Sequence, residues 1–376
     1  MFAPIQQSHR LVFGLVATMS VAACGEAGAP AITHDDLQNR LNQLQAARPD
    51  VPGFALAVVL DDGTRLTAAT GQADPDGRAM TANTPVRIAS ITKTFVAAAI
   101  LRLWEDGMIH LDAPIAGLIS AAHNEMLTAD GYDTKAITIR HLLMHAGGVN
   151  DHFGNDAFTG AVLSEPSREW TRTEQLRIMV ETTDPLGPPG EIFSYSDTGY
   201  LLLGEIVERV TGEPLGKAVK QLTKLDMIGL SEVWWDTEDA PPATAPLRAH
   251  QWLGDIDTYD IHGSVDAFGG GGIVADVEDM ALFFAALFGG EIFEKRETLT
   301  LMTTAPGHPE GSPYRMGLFT FERAGRPTFG HGGFWGTDVA VWPEFGVSVA
   351  GISLNETGTD DLRTLETEIA GLLMKP

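Results

Sequence analysis

The sequence Ser90-Ile91-Thr92-Lys93 stands just before the apolar run FVAAAILRLW of residues 95–104. Serine and lysine three positions apart lie on one face of a helix, about one turn from each other. The following run is apolar almost all round, which predicts a buried helix, and Gly107 is a signal for its end. The stretch therefore predicts a reactive pair at the beginning of a core helix.

The pair has a chemical rationale. A serine hydroxyl is a weak nucleophile until a neighbouring group takes its proton. Lys93 can act as that base, or can lower the pKa of another base, if its surroundings disfavour the ammonium form. A helix N-terminus also favours negative charge on Ser90. The alternatives are an N-cap serine and a solvated surface lysine, so the interpretation depends on further motifs.

The first residues are typical of an export signal. His9 and Arg10 precede an apolar run over residues 11–23. That run is too short to span a bilayer as a stable helix, and its length suits the hydrophobic region of a signal peptide. We therefore expect a signal peptide over residues 1–23 and a tether over residues 24–34.

Cys24 is the only cysteine of the chain. The preceding Val21-Ala22-Ala23 resembles a bacterial lipobox, in which the cysteine is lipidated and becomes the first residue of the mature protein. The alternative is ordinary signal cleavage nearby, for example after Ala29. Gly25 favours the outer membrane over retention at the inner one. We expect an exported, periplasmic protein that a lipid on Cys24 anchors to the outer membrane, with no internal disulfide.

Charge excludes some partners. The chain has 25 Lys and Arg against 50 Asp and Glu, a formal net charge of −25. Such a field repels nucleic acid and anionic lipid, so we expect no nucleic-acid partner. Membrane attachment would then come from acylation rather than from a basic patch. The excess of acidic residues is also consistent with a solvated surface that keeps the protein soluble.

Strand patterns occur near both ends of the chain. Residues 54–60 and 64–70 flank Asp61-Asp62-Gly63, which predicts a β-hairpin. Residues 337–342 and 347–354 predict a second hairpin near the other end. Both are segments that need a common sheet to bury their apolar residues.

The chain between these hairpins has mostly helical patterns with long loops. A helical middle enclosed by strands predicts one sheet built from both chain ends, with an inserted helical domain. We therefore expect a mixed α/β (α+β) fold. Residues 35–111 and 266–376 would form an antiparallel sheet flanked by helices, and residues 112–265 an inserted all-α domain.

Two later motifs complete a pattern. Tyr195-Ser196-Asp197 precedes an amphipathic helix over residues 200–210, and His331-Gly332-Gly333 precedes the second hairpin. With S-x-x-K, this order and spacing resembles the serine β-lactamase-related family of class C β-lactamases, D-alanyl-D-alanine peptidases and related esterases. That family carries S-x-x-K, then Y-x-N, then K-T-G or H-x-G. The resemblance covers roughly residues 50–356 and implies a β-lactamase/transpeptidase-like fold.

The resemblance implies a role for each motif residue. Ser90 would form an acyl-enzyme that water hydrolyses, and Lys93 would assist as base or by lowering the pKa of Tyr195. Tyr195 would take the serine proton and pass it to the leaving group. The amides of Ser90 and Phe334 would form the oxyanion hole.

Two motif residues depart from the common pattern. Asp197 stands where the family usually has asparagine, whose amide can bind a substrate carbonyl; an ionised aspartate only accepts hydrogen bonds. Near Lys93 it would also raise the pKa of that lysine. His331 replaces a lysine, so it would hold a substrate carboxylate less firmly. These departures disfavour β-lactams and peptide amides and favour esters, because an alcohol leaves more easily than an amine.

Other residues of the third motif are expected to shape the substrate cleft. Gly332 and Gly333 allow a substrate backbone to approach closely. Trp335 lies beside the motif, where we expect it to contact substrate. The alternatives are a core role for Tyr195 and a structural role for His331 at a strand end.

These observations predict a serine hydrolase without metal or cofactor, acting on an ester or a D-amino-acid peptide or amide rather than a β-lactam. Its partner would be that small-molecule or peptide substrate, and the oligomeric state stays open. The competing hypothesis is a non-catalytic ligand-binding or scaffold protein with this fold. A third is a metallohydrolase using His141 and His145, four residues apart, although the H-E-x-x-H signature is missing.

Overall fold

A computed structural model describes residues 32–230 and 232–374 of the chain. The predicted signal peptide, the lipidation at Cys24 and all but the end of the predicted tether lie outside the described residues. No helix in the described ranges is both long and apolar enough to cross a membrane.

Strands from both ends of the described chain form one antiparallel sheet of six strands, in the order β2-β1-β11-β10-β9-β8. Both predicted hairpins are present, as β1–β2 and β10–β11. A second sheet has the order β3-β7-β4, and β5 pairs with β6. The strands are β1 Gly53–Leu60, β2 Arg65–Gly71, β3 Val86–Arg87, β4 Trp234–Trp235, β5 Trp252–Leu253, β6 Ile256–Asp257, β7 Ile273–Ala275, β8 Phe319–Arg323, β9 Arg326–Gly333, β10 Thr337–Trp342 and β11 Val347–Ser353.

Helices cover both faces of the large sheet and fill the middle of the chain. They are α1 His34–Ala47, α2 Thr92–Glu105, α3 Ala121–Ala129, α4 Ile139–Leu143, α5 Asp156–Ser164, α6 Arg172–Thr182, α7 Asp197–Thr211, α8 Leu215–Leu222, α9 Val277–Gly289, α10 Arg296–Thr304 and α11 Thr359–Leu373. Short 3-10 helices lie at Ala89–Ile91, Ile115–Gly117, Gly263–Asp266 and Glu356–Gly358. The predicted fold class is confirmed; the domain boundaries stay predictions.

The side chains of β1 point alternately to the two faces of the large sheet, and both faces are covered. Phe54, Leu56 and Val58 join a core cluster with residues of α1 and α11, whereas Ala55 and Ala57 join the cluster that contains α2 and α9. Successive side chains of a strand point to opposite faces, so a strand that is apolar at every position is buried on both sides. The sheet is therefore sandwiched between helices.

The buried helix predicted from the sequence is α2. Every residue from Thr92 to Leu103 is buried. The rings of Phe95 and Phe283 stack with centroids 3.5 Å apart, which fixes α2 against α9. Gly107 has a φ of +70° just beyond the helix, a conformation that suits glycine at a helix end. This packing holds the first turn of α2, with Lys93, in the interior.

Candidate active site

The segment that carries Ser90 is a tight turn between β3 and α2. Ser90 lies in the 3-10 helix Ala89–Ile91, and Ala89 has a φ of +48°, which is uncommon for a residue with a side chain. Packing holds this conformation: the Ile88 carbonyl accepts a hydrogen bond from Thr337 Oγ1 at 3.1 Å, which ties the turn to β10. The serine hydroxyl is thus presented from a rigid, strained segment.

Lys93 lies fully buried directly beneath Ser90. Its Nζ donates to Ser90 Oγ at 2.8 Å, to the Gly270 carbonyl at 2.7 Å, and to Asp197 Oδ1. These contacts use all three protons of an ammonium group. Burial by itself lowers the pKa of Lys93, but the charges and hydrogen bonds of Asp197 and Tyr195 together outweigh burial and hold this pKa above its usual value. Lys93 is therefore a fixed cation.

Asp197 is the first residue of α7, after the N-cap Ser196. Its backbone N–H donates to Asp151 Oδ1 at 3.0 Å, so a second carboxylate lies next to the Lys93–Asp197 pair. Burial, followed by the charge of Asp197, raises the pKa of Asp151 to about 6. Gly270 is needed here because a Cβ on it would lie 2.8 Å from Asp197 Oδ1. The ion pair is enclosed by the backbone around it.

Tyr195 lies over the ammonium group. Lys93 Nζ is 5.0 Å from the centre of its ring, and the ring stacks on Phe319 at 5.9 Å. Burial, with the charge of Asp197, raises the pKa of Tyr195 to about 12, although Lys93 and Ser90 act in the opposite direction. The resting phenol therefore carries its proton at neutral pH. Ser90, Lys93, Tyr195 and Asp197 are brought together at one place.

His145 also lies in this site, next to Tyr195, whereas its sequence pattern suggested only a metal ligand. Its carbonyl accepts from Ser194 N at 2.9 Å, and its Nδ1 accepts from Ser196 N at 3.1 Å. The two bonds bracket Tyr195, whose ring is 4.2 Å from that of His145. Burial, with the charges of Lys93 and His331, lowers the pKa of His145 well below its usual value. A neutral histidine thus positions the tyrosine.

The third motif forms the end of β9, next to the Ser90 turn. His331 is buried, with Nδ1 2.8 Å from the Gly332 carbonyl and Nε2 3.0 Å from the hydroxyl of Tyr314. The carbonyl can only accept, so Nδ1 carries the proton and Nε2 accepts from Tyr314. Burial, with the charge of Lys93, lowers the pKa of His331 to about 3. This neutral residue has both ring nitrogens occupied within the protein.

Packing within the protein requires glycine at position 333, and at position 332 a side chain would displace an arginine. A Cβ on Gly333 would lie 2.1 Å from Thr337 Oγ1 and 2.4 Å from the Ile88 carbonyl. A Cβ on Gly332 would lie 2.7 Å from Nη2 of Arg363. The expected room for substrate stays a prediction. In the structure, Gly333 lets β9 approach the Ser90 turn closely.

A pocket of about 620 Å³ opens beside these motifs. Tyr195, Phe319 and Phe321 give it an aromatic wall, and Arg323 and Arg363 line it farther out. Both arginines bind the carboxylate of the buried Asp338, each at 2.8 Å, so much of their charge is neutralised. The pocket therefore combines an aromatic wall beside the second and third motifs with charged side chains, among them Glu322.

Phe334 and Trp335 follow the motif with opposite exposures. Phe334 has 48% of its surface exposed and lines the pocket. Trp335 is only 2% exposed, and its indole N–H donates to Asp266 Oδ2 at 3.0 Å. The expectation that Trp335 contacts substrate is therefore wrong, because its polar nitrogen finds its partner inside the protein.

The histidines considered for a metal have other partners. His141 Nδ1 accepts from Thr138 N at 3.2 Å as part of the cap of α4, whereas His145 Nδ1 accepts from Ser196. Within residues 32–230 and 232–374, no three His, Cys, Asp or Glu side chains are grouped so that they could hold a metal ion.

Comparison with known proteins gives consistent matches. The family model described as Beta-lactamase matches residues 40–373. The chain is 25% identical to penicillin-binding protein 4 of Amycolatopsis lactamdurans over 373 residues, which cover 91% of each protein. It is 36% identical to the esterase EstB of Burkholderia gladioli, over 45% of this chain and 43% of the esterase.

Solved structures have the same fold. A D-stereospecific amidohydrolase from Streptomyces sp. superimposes with a TM-score of 0.75 at 26% identity, over 89% of this chain and 99% of that one. The D-amino acid amidase of Ochrobactrum anthropi, in a complex with L-phenylalanine amide, gives a TM-score of 0.73 at 22% identity, over 90% and 98%.

Proposed function

This chain belongs to the β-lactamase family of serine hydrolases, and on that premise we propose that it forms an acyl-enzyme on Ser90, which water then hydrolyses. The observation that carries the proposal is the contact of Ser90 Oγ with the buried Lys93 ammonium, beside Tyr195. Covalent catalysis needs a nucleophile beside a proton acceptor and beside a group that stabilises its developing charge; we assign the first role to Tyr195 and the second to Lys93.

Tyr195 serves as a proton shuttle in this proposal. Its phenol is protonated at rest, so it can accept the proton of Ser90 only while it gives up its own. As Ser90 Oγ bonds to the substrate carbonyl carbon, the serine proton moves to Tyr195 and, in the same step, the phenol proton of Tyr195 moves to the ester oxygen that will leave. The bond between that protonated oxygen and the carbonyl carbon then breaks, and the alcohol departs. In the second half water donates to Tyr195, and Ser90 recovers its proton.

Lys93 acts electrostatically rather than as a base. Its pKa is held above the usual value by Asp197, so it stays an ammonium while Ser90 reacts. A buried cation that already donates to Ser90 Oγ stabilises the negative charge that develops there. The backbone N–H groups of Ser90 and Phe334 are proposed to stabilise the oxyanion.

Esters are the proposed first substrate class, and amides or peptides of D-amino acids the second. Asp197 has no amide to donate to a substrate carbonyl, and its Oδ1 is already occupied by Lys93. The loss matters least for an ester, whose alcohol leaves readily. The similarity to an esterase supports the first class, and that to a D-stereospecific amidohydrolase supports the second.

The test compares the purified protein with its Ser90→Ala variant on three substrates: a chromogenic short-chain ester, a D-alanyl-D-alanine peptide and a chromogenic cephalosporin. Ester turnover that disappears in Ser90→Ala is the expected result. Faster Ser90-dependent cleavage of the cephalosporin would contradict the substrate proposal. Turnover unchanged in Ser90→Ala would overturn the nucleophile. If neither protein turns over any of the three, the non-catalytic binding protein becomes the better hypothesis.

We also propose export and lipid anchoring at Cys24. The support is the short apolar run before Cys24 and the lipobox-like Val21-Ala22-Ala23. In cells that express the full chain, incorporation of labelled fatty acid should be lost in Cys24→Ser. Incorporation that is equal in both proteins would contradict the proposal.

A further inference from the structure

Gln251 is a buried glutamine that joins two segments of the candidate site. It lies just before β5 and is 1% exposed. Its Oε1 accepts from Arg87 N at 2.9 Å, and its Nε2 donates to the Arg87 carbonyl at 3.0 Å and the Trp335 carbonyl at 2.9 Å. Only an NH₂ group can donate to two carbonyl oxygens, so the orientation of this amide is fixed. Both of its protons are used.

The two segments are those that carry the proposed oxyanion donors. Arg87 ends β3, three residues before Ser90, and Trp335 directly follows Phe334. The segments also touch where Gly333 packs on the Ile88 carbonyl. The Gln251 amide is a second bridge, and it fixes the separation of Arg87 from Trp335.

The backbone of Gln251 is itself held from several sides. Ala249 N donates to the Pro85 carbonyl at 2.9 Å, and Trp252 N donates to the Leu354 carbonyl at 2.8 Å. The Gln251 carbonyl accepts from both N and Oγ1 of Thr258. The side chain therefore projects from a fixed base, so its amide can act as a spacer.

We propose that Gln251 is a positioning residue, whose carboxamide aligns the backbone N–H groups of Ser90 and Phe334 on one oxyanion. It touches neither substrate nor the reacting atoms. The inference rests on the proposed acyl-enzyme chemistry. An oxyanion hole works only when its donors are preorganised, and a misplacement of about 1 Å can cost about 100-fold in rate.

Gln251→Met tests this, because methionine has a similar length but cannot form the bridge. Gln45→Met is the matched control. Gln45 lies in the last turn of α1, and its Nε2 also donates to two carbonyls, those of Arg48 and Val51. We expect Gln251→Met to lower kcat/KM for the ester about 10- to 100-fold, mainly through kcat. Affinity for a phenylboronic acid should fall in parallel, since its adduct on Ser90 places an oxygen in the oxyanion hole. Gln45→Met should change neither value.

Several results would overturn the proposal. These are unchanged kcat/KM and boronate affinity in Gln251→Met, equal losses in Gln45→Met, or an increase in KM alone. Wild-type protein without Ser90-dependent turnover would overturn the proposed function instead, and this inference with it. If Gln251→Met does not fold, a crystal structure of the wild-type boronate adduct decides. Its oxygen must lie within hydrogen-bond distance of Ser90 N and Phe334 N while Gln251 keeps its three bonds, and any other placement rejects the inference.

Discussion

The second and third motifs differ in where their charge lies. Beneath Ser90, Lys93 and Asp197 form a buried ion pair, so the second motif carries an anion inside the protein. Across the site, His331 is neutral and is hydrogen-bonded by Tyr314. The strongest charges of this site therefore support the nucleophile, whereas the third motif presents a neutral side chain.

Removing the charge of Lys93 should have the greatest effect on activity. Lys93→Met removes the cation that stabilises Ser90 Oγ, so we expect ester kcat/KM to fall about 100- to 1000-fold. It also leaves Asp197 as an unpaired, largely buried carboxylate, which should cost about 3–5 kcal/mol of unfolding free energy. Urea unfolding and initial rates measure the two effects separately.

The double variant Lys93→Met/Asp197→Asn is the control for that result. It removes the stranded charge, so most of the lost stability should return while the activity stays low. If activity returns together with stability, Lys93 has only a structural role, and the contrast between the two motifs loses its functional meaning.

Asp197→Asn gives the second motif an amide, and so tests whether Asp197 disfavours amide substrates. The new NH₂ group can donate to a substrate carbonyl, and one such bond is worth about 1 kcal/mol. We therefore expect the ratio of kcat/KM for a D-amino-acid amide to that for the matching ester to rise about 5-fold. An unchanged ratio would show that Asp197 is not what disfavours amides.

Much of the fold was predictable because its signals are local. Apolar segments on either side of turn residues, and a helix apolar on every face, identified both hairpins and α2. Asp197 near Lys93 was also foreseeable, since the motif order implies that the two meet. β9 was missed as a strand because its glycines and Pro327 are not typical of strands.

The supporting residues of the site could not be predicted in the same way. His145, Asp151 and Gln251 act through contacts with residues far along the chain, and no local pattern announces them. Trp335 was misjudged because its partner, Asp266, lies about 70 positions earlier. Such pairings depend on tertiary structure alone.

Replacing the neutral His331 should have only a small effect on activity. His331→Gln keeps one donor and one acceptor, so ester kcat/KM should fall by less than about 10-fold. Since the pKa of His331 is about 3, the ester pH–rate profile between pH 5 and 8 should have the same shape in both proteins. A wild-type inflection near pH 6.5 that vanishes in His331→Gln would show instead that His331 titrates during catalysis.

A change in the free energy of unfolding is expected at Asp151, which lies next to the Lys93–Asp197 pair. Asp151 has a folded pKa of about 6 because it is buried and faces Asp197, against about 3.8 in the unfolded chain. A raised carboxyl pKa means that the folded state holds the proton more tightly. Its stabilising contribution is complete below pH 3.8 and is lost as the pH rises through 6. Asp151→Asn can still accept the Asp197 N–H bond without ionising, so at pH 7.5 the variant should be more stable by up to about 3 kcal/mol.

That gain should vanish below pH 4, where the native carboxyl is protonated. Asp50→Asn is the control, because the exposed Asp50 is paired with Arg48 and its pKa is lowered, so the pH dependence it removes has the opposite sign. Urea unfolding between pH 4 and 8 measures all three proteins. A gain for Asp151→Asn that is equal at every pH would mean that packing at this position, and not the crowding of carboxylates around Lys93, sets its stability.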